Sequence, residues 1–343
     1  MAGNVNTDTI QILYYGAGWP TNIGNAFIDL GAMAILRAAA PNAKIGFASG
    51  MPRWFFGHVA AKEPWVKKFL AHLPQKFRHF VKQLSNQPMM IYMDNALDIA
   101  SVTQCDLVVI SGMVMCEEFI RVNGPSVLTL ARRGIPVLFL GVGALAYSDQ
   151  EKELFGDFLQ QVNPIGLVSR DDQTFEMFAG FVSKAHKGID CAFFVPEAYT
   201  PLPLTLPPYI VATFDSMPEP VLALNGRLLI HAHHYCWDPP RRGYVCTNNT
   251  LISDIPYDYL TLYANAEEVH SDRVHACVAA LAYGRKARLY NPTPRGSLFD
   301  AVGAEGIRSQ VTQLDMQLLA EKKRAQIEFV KELILIVMQE RKS

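Results

Sequence analysis

The sequence predicts an α/β protein built from two Rossmann-type units, the second smaller than the first. Three observations carry this. Short β-branched, apolar runs alternate with longer amphipathic stretches through the first half, the pattern of strand and helix units feeding a parallel sheet covered on both faces. A third of the 21 prolines then fall between Pro196 and Pro220 and interrupt the alternation as a linker or domain-edge excursion. Beyond them the alternation resumes in shorter form, and 343 residues suit two domains at roughly 150 residues each.

In chain order, the apolar runs Ile10–Tyr15, Lys44–Ala48, Leu107–Ser111, Pro136–Gly141 and Ile165–Ser169 read as strands. The amphipathic stretches between them, Asn25–Ala39, Trp65–Leu84, Glu117–Arg133, Asp149–Gln161 and Asp172–Phe181, read as helices, and right-handed crossovers make the sheet Rossmann-like. After the prolines, Tyr209–Phe214, Arg227–His233 and Val269–Ser271 read as strands, His275–Tyr283 as a helix and Ala287–Tyr290 as a further strand. Leu314 to Arg341 carries Leu314, Leu318, Ile327, Val330, Leu333, Ile334 and Val337 at helical spacing among Lys and Glu. The simplest reading is a long amphipathic helix packing across the domains. A weak membrane-surface association through Lys322, Lys323 and Arg324 is the sharper alternative. The expected domains are 1–197, 198–313 and the terminal helix 314–343.

Composition narrows the function. The chain is 50% hydrophobic and 18% charged, which excludes disorder and a fibrous fold. With 31 basic against 32 acidic side chains it lacks the concentrated basic surface that many phosphate contacts require, so nucleic acid is not an expected partner. Met1 to Thr9 has neither the basic start nor the apolar run of a secretory signal, and the longest apolar stretch, Leu333 to Met338, falls far short of the roughly 20 residues that span a bilayer. A cytoplasmic address is expected, with six scattered cysteines as reduced thiols.

Three constellations could carry chemistry. Tyr15 through Asn25 is a strand, a glycine-bearing loop and a helix start, whose exposed amides suit an anion. Its spacing is neither GxGxxG nor a P-loop, and the plainer reading is a turn capped by Asn25. Ser169-Arg170-Asp171 puts an arginine at the carboxyl end of a buried strand, where open α/β sheets bind ligands, against the plainer reading of a surface pair with Asp171 or Asp172. Glu268 through Gly284 sets Arg273 and His275 two apart where a strand ends and a helix of small residues (276, 279, 280, 282) begins.

A fourth stretch, His231 to Asp238, holds favoured zinc ligands, but strand alternation puts His231 and His233 on one face and His234 and Cys236 on the other. No cofactor or metal is expected, and Trp237 and Tyr235 are read instead as sugar-stacking groups or packing.

The strand, Arg-x-His, helix, Gly and strand over residues 268–290 resemble the signature of the polysaccharide pyruvyl transferase family. Asn22-Ile23-Gly24-Asn25 resembles that family's N-terminal glycine loop, Asp106–Gly112 its central apolar strand ending in glycine, and Ser169-Arg170-Asp171 its Arg-Asp strand end. Met113 and the absence of a lysine between Tyr290 and Arg295 depart from the pattern. The resemblance implies a GT-B-like fold, two Rossmann-type domains facing a cleft, here with the second domain shortened. It also implies an enzyme that moves pyruvate from phosphoenolpyruvate onto two hydroxyls of a saccharide, free or lipid- or nucleotide-linked, forming a ketal and releasing phosphate.

On that reading Arg170 and Arg273 bind the dianionic donor through planar forks that stay charged at any working pH. His275 contacts the donor phosphate and protonates it on departure, with His270 and Glu268 as lower-ranked proton carriers. Asn22, Gly24, Asn25 and Val274 line the substrate site, Asp29 faces the acceptor or is simply solvated, and Trp237 lines the acceptor groove. Two alternatives stay open: a GT-B glycosyltransferase with a nucleotide-sugar donor, and a non-catalytic anion-binding member. The oligomeric state is not encoded in any local motif.

Overall fold

A computed structural model describes residues 9–16, 22–50, 98–234 and 249–341. The helix expected over Trp65–Leu84, the loop 17–21 and Trp237 lie outside the described residues. In the first half, β1 (Gln11–Gly16), β2 (Lys44–Ser49), β3 (Leu107–Met115), β4 (Val137–Ala144), β5 (Gly166–Ser169) and β6 (Ala185–Lys187) form one sheet in the order β2-β1-β3-β4-β5-β6. Every pair is parallel. Burial follows from the connections, because helices on both faces leave central strands no solvated side. All eight residues of β4 are accordingly buried. The helices of this half are α1 (Ile23–Ala39), α2 (Ile99–Val102), α3 (Glu117–Arg132), α4 (Asp149–Val162), α5 (Asp172–Phe178) and α6 (Val195–Ala198).

The second half places β7 (Tyr209–Thr213), β8 (Leu228–Ala232), β9 (Thr250–Leu251), β10 (Glu268–Ser271) and β11 (Lys286–Leu289) in the order β11-β10-β7-β8-β9, again parallel. Its helices are α7 (Pro256–Asn265) and α8 (Val274–Ala282). The order reverses direction at β1/β3 in the first sheet and at β7/β10 in the second, and open α/β sheets bind ligands at the carboxyl ends beside such points.

Strand and helix positions otherwise follow the hydrophobic pattern, with local corrections. The α1 cap is Asn22, whose Oδ1 accepts from Gly24 N at 3.0 Å, and not Asn25. An Asn two residues before an apolar stripe offers the same cap chemistry, so the pattern alone leaves the choice open. Strands β6 and β9 and helices α2, α6 and α7 have no counterpart in the sequence reading. β6 and β9 are too short for a two-residue period to show, and α7 opens on Pro256, which reads as a breaker but suits a first helical turn.

Helix α9 (Met316–Glu340) crosses between the halves. Its start lies against Gly284 and Gly303, through Met316 and Leu318. Farther on, the Gln326 side-chain oxygen accepts from Ile189 N at 2.8 Å and Leu333 fills the space above Gly166. The expected basic face is broken, because Lys323 is buried, bonded to Glu197 at 2.9 Å and set over the Phe194 ring. No described helix is long and apolar enough to cross a membrane.

Helix α1 is the other bridge. Phe27, fully buried, meets His234 and Tyr263 of the second half edge-on at 5.9 and 6.4 Å between ring centroids. One apolar cluster therefore runs from Ile12 and Phe27 through Phe193 to Val211, Tyr263 and Val278.

Candidate active site

Arg170 follows β5 directly, and its N–H continues the ladder by donating to Val142 O at 2.9 Å. The side chain turns inward and is 1% exposed, so the surface pair anticipated from the sequence does not exist. Glycine at 143 makes room for it, since a Cβ there would overlap the guanidinium. Nη1 meets Asp190 Oδ2 at 3.3 Å, and Nε lies 3.7 Å from Asp171 Oδ2. Nε and Nη2 are buried and have no hydrogen-bond partner among the described residues. Burial alone would weaken the cation, but Asp190, Tyr147 and Asp171 outweigh it and raise the Arg170 pKa.

Tyr147 reaches this spot by an uncommon route. Its φ is +53°, the left-handed region that costs a residue with a Cβ. Glu151 holds the turn by accepting from the amides of Leu145, Ala146 and Tyr147 at 2.8 to 3.2 Å. The phenol can then donate to Asp171 at 3.0 Å.

Asp190 sits just past β6 and is fully buried. One oxygen caps the following turn through Ala192 N at 2.8 Å, while the other faces Arg170 and, at 3.7 Å, His275 Nε2. Burial pushes its carboxyl up, yet His275 and Arg170 prevail and hold it below the ordinary range. His275 comes from the first turn of α8, in the other half of the molecule. It packs so close to α1 that a Cβ on Gly24 would lie 2.9 Å from His275 Cβ and 3.1 Å from Nδ1.

At the β7/β10 switch point a second carboxylate organises the cluster. Asp215 accepts from Arg273 Nε at 2.8 Å, from His233 Nδ1 at 3.0 Å and from His234 N at 3.2 Å. Asp272 in turn accepts from the amides of Asp215, Ser216 and Met217 at 2.6 to 3.1 Å, fixing the loop that carries Asp215. Burial raises the Asp215 pKa, but His233 and Arg273 outweigh it and the net direction is down. His234, 1% exposed, is pushed down to about 3 by burial, opposed by Asp215 and assisted by Arg273 and His275, and its Nε2 pairs with Tyr263 OH at 2.6 Å.

The two guanidinium groups thus anchor two clusters, Arg170–Asp190–His275 and Arg273–Asp215–His233, with Arg273 and His275 two residues apart in the chain. Arg170 and Asp190 are buried, and the side chains of Arg273 and His275, each 14% exposed, are the more open members. Gly24 abuts His275 from α1.

Other candidates go elsewhere. His270 and Glu268 pair with each other at 3.3 Å and face Tyr290 and Arg227, nearer the amino end of β10. Val274 joins the apolar core, and Asn25 serves α1 through its backbone, donating to Asn22 O. Asp29 is buried, not solvated, and accepts from Tyr14 OH at 2.9 Å. His231, His233 and His234 have separate partners, and no group of three or more His, Cys, Asp or Glu among the described residues could hold a metal ion. Asp190, Asp215 and Tyr147 escaped the sequence reading, and His233 enters it only within the His231–Asp238 stretch. An acid three residues past a strand end is the signal for Asp190, and it is invisible unless β6 is recognised.

Residues 22–292 match the family model described as polysaccharide pyruvyl transferase. No curated protein matches the chain. Solved structures similar to it include a putative UDP-N-acetylglucosamine 2-epimerase from Listeria monocytogenes, at 10% identity and a TM-score of 0.51, covering 94% of this chain and 91% of that one. Another is the UDP-N-acetylglucosamine 2-epimerase from Rickettsia bellii, at 12% identity and a TM-score of 0.50, covering 96% of each. At such identities the likeness concerns the fold alone, a GT-B-like pair of Rossmann-like domains.

Proposed function

The chain belongs to the polysaccharide pyruvyl transferase family, and we propose that it transfers pyruvate from phosphoenolpyruvate to two hydroxyls of a saccharide or saccharide-linked acceptor, releasing phosphate. The observation that carries the reading is Arg170: a buried cation whose Nε and Nη2 are unmatched among the described residues and which shares Asp190 with the imidazole of His275, two residues along from a second guanidinium, Arg273. Buried donors left unpaired are costly, and a planar, doubly anionic ligand relieves that cost. Phosphoenolpyruvate offers a carboxylate and a phosphate on three carbons.

The chemistry adds one acceptor oxygen to C2 of the donor while C3 gains a proton, and the second oxygen then displaces phosphate from C2. Of the two hydroxyl protons, one ends in the new methyl group and the other leaves with phosphate. Arg170 binds the donor from the buried side and Arg273 from the more open one, while His275, oriented by Asp190, protonates the departing phosphate. Amides at the start of α8 favour the same developing charge.

Phosphate release from phosphoenolpyruvate across a panel of saccharide acceptors tests the reading. His275→Ala is expected to lower release at least a hundredfold, within the ordinary range for a lost acid–base group, ~10²–10⁴. Stabilisation by nucleotide sugars and not by phosphoenolpyruvate in a thermal-shift series would refute it in favour of a glycosyltransferase.

A further inference from the structure

The family match ends at residue 292, so α9, which starts at Met316, lies outside it. This helix nevertheless reaches the segment that carries Asp190. Its buried stripe runs through Leu319, Lys323, Gln326, Val330 and Leu333, and Gln326 is fully buried within it. Packing alone would be served by leucine, because a buried amide is costly unless it bonds. The Gln326 Nε2 has no partner among the described residues, and its Oε1 accepts from the amide of Ile189, the residue before Asp190.

We infer that Gln326 is a positioning residue, which from the terminal helix sets where the Asp190 carboxylate stands between Arg170 and His275. Its consequence for turnover rests on the pyruvyl-transfer reading. Strand β6 ends at Lys187, and beyond it the backbone is tied once at each residue. Gly188 N donates to Ser169 O at 3.1 Å, Ile189 N to Gln326 Oε1 at 2.8 Å, and Phe193 N to Asp190 O at 3.1 Å. The first tie comes from the end of β5 and the third from the segment's own turn, so the middle one is the hold from outside the sheet. The fit is close, since a Cβ on Gly188 would lie 2.5 Å from Gln326 Oε1. A second hold follows on the other side of Asp190, where Lys323 Nζ meets Glu197 Oε1 at 2.9 Å and stands 5.5 Å from the centre of the Phe194 ring. Asp190 is bracketed by two contacts with one helix.

Losing the middle tie leaves the Ile189 amide buried and unpaired, and the backbone relieves that cost by moving. Asp190 moves with it. Its Oδ2 lies 3.3 Å from Arg170 Nη1 and 3.7 Å from His275 Nε2, and a displacement of about 1 Å, even one caused far from the chemistry, can lower a rate roughly a hundredfold.

The experiment compares wild type with Gln326→Leu, which suits the apolar stripe but offers Ile189 no acceptor, and with Leu333→Ala, which loosens the same helix about two turns away. Histidine rings are labelled with ¹⁵N, and the His275 signal is identified by its loss in His275→Ala. Phosphate release and Tm are measured on each chain. Gln326→Leu is expected to displace the His275 ring signal and to lower kcat by about 10- to 100-fold. Leu333→Ala is expected to lower Tm with the ring signal in place and kcat within threefold of wild type. A ring signal unmoved in Gln326→Leu, one moved equally in both variants, or Gln326→Leu turnover within threefold of wild type would each overturn the assignment. In wild type, the Ile189 amide is expected to exchange its hydrogen as slowly as the buried amides of α9; free exchange there would overturn the assignment too, and needs no variant to fold. Wild type that releases no phosphate with any acceptor would overturn the pyruvyl-transfer reading, while the ring signal and the amide exchange still decide whether Gln326 places Asp190.

Discussion

Asp190 and His234 illustrate how far single side chains set behaviour here. Asp190 neutralises a guanidinium with no access to water, so replacing it leaves an uncompensated buried charge. Asp190→Asn is expected to lose about 3–5 kcal/mol in urea unfolding, the usual penalty for removing one partner of a buried pair. His234 acts through protons. Its folded pKa of about 3 lies below the ordinary 6.5, so between those values the unfolded chain binds a proton that the folded chain does not. Stability contributed by the neutral ring is full above 6.5 and is lost as pH falls toward 3. From pH 7 to pH 5 that one ring costs about 2 kcal/mol, and His234→Gln should flatten the slope in parallel urea titrations. Asp190 and Asp215, both held low, add a further loss only below the usual carboxylate range.

Among the elements, α1 carries the tightest constraint. A Cβ on Gly31 would overlap the carbonyl oxygen of Cys191, a backbone atom that cannot step aside. Gly31→Ala should therefore destabilise by roughly 1–3 kcal/mol or more, read from the urea midpoint. Which elements the sequence revealed follows from length and periodicity. The strands β1, β3, β4 and β5 and helices α1, α3 and α4 bury a clear stripe or run, so their pattern is legible. β6 has three residues and β9 two, too few to establish alternation, and with β6 went Asp190. Arg170, Arg273 and His275 could be found because they follow recognisable strands. That Asp190, ahead of α6, would meet an imidazole from α8 is a long-range fact that no local window contains.

At the scale of the whole molecule, the two sheets share one apolar cluster through α1 and a crossing helix, α9. Relative domain motion is the default unless the interface is large and hydrophobic, and here buried apolar side chains of both halves join in one cluster. Calorimetry is expected to give a single cooperative transition, with calorimetric and van't Hoff enthalpies in agreement, in place of two resolved peaks.

The crossing helix also imposes an order of assembly. Gln326 satisfies the amide of Ile189, and Leu333 roofs Gly166, so the far edge of the first sheet is finished by residues translated long after it. A nascent chain emerging from the ribosome exhibits that edge uncovered until synthesis has passed α9. This window, in which bare strands can meet another polypeptide, is where chaperones would be recruited.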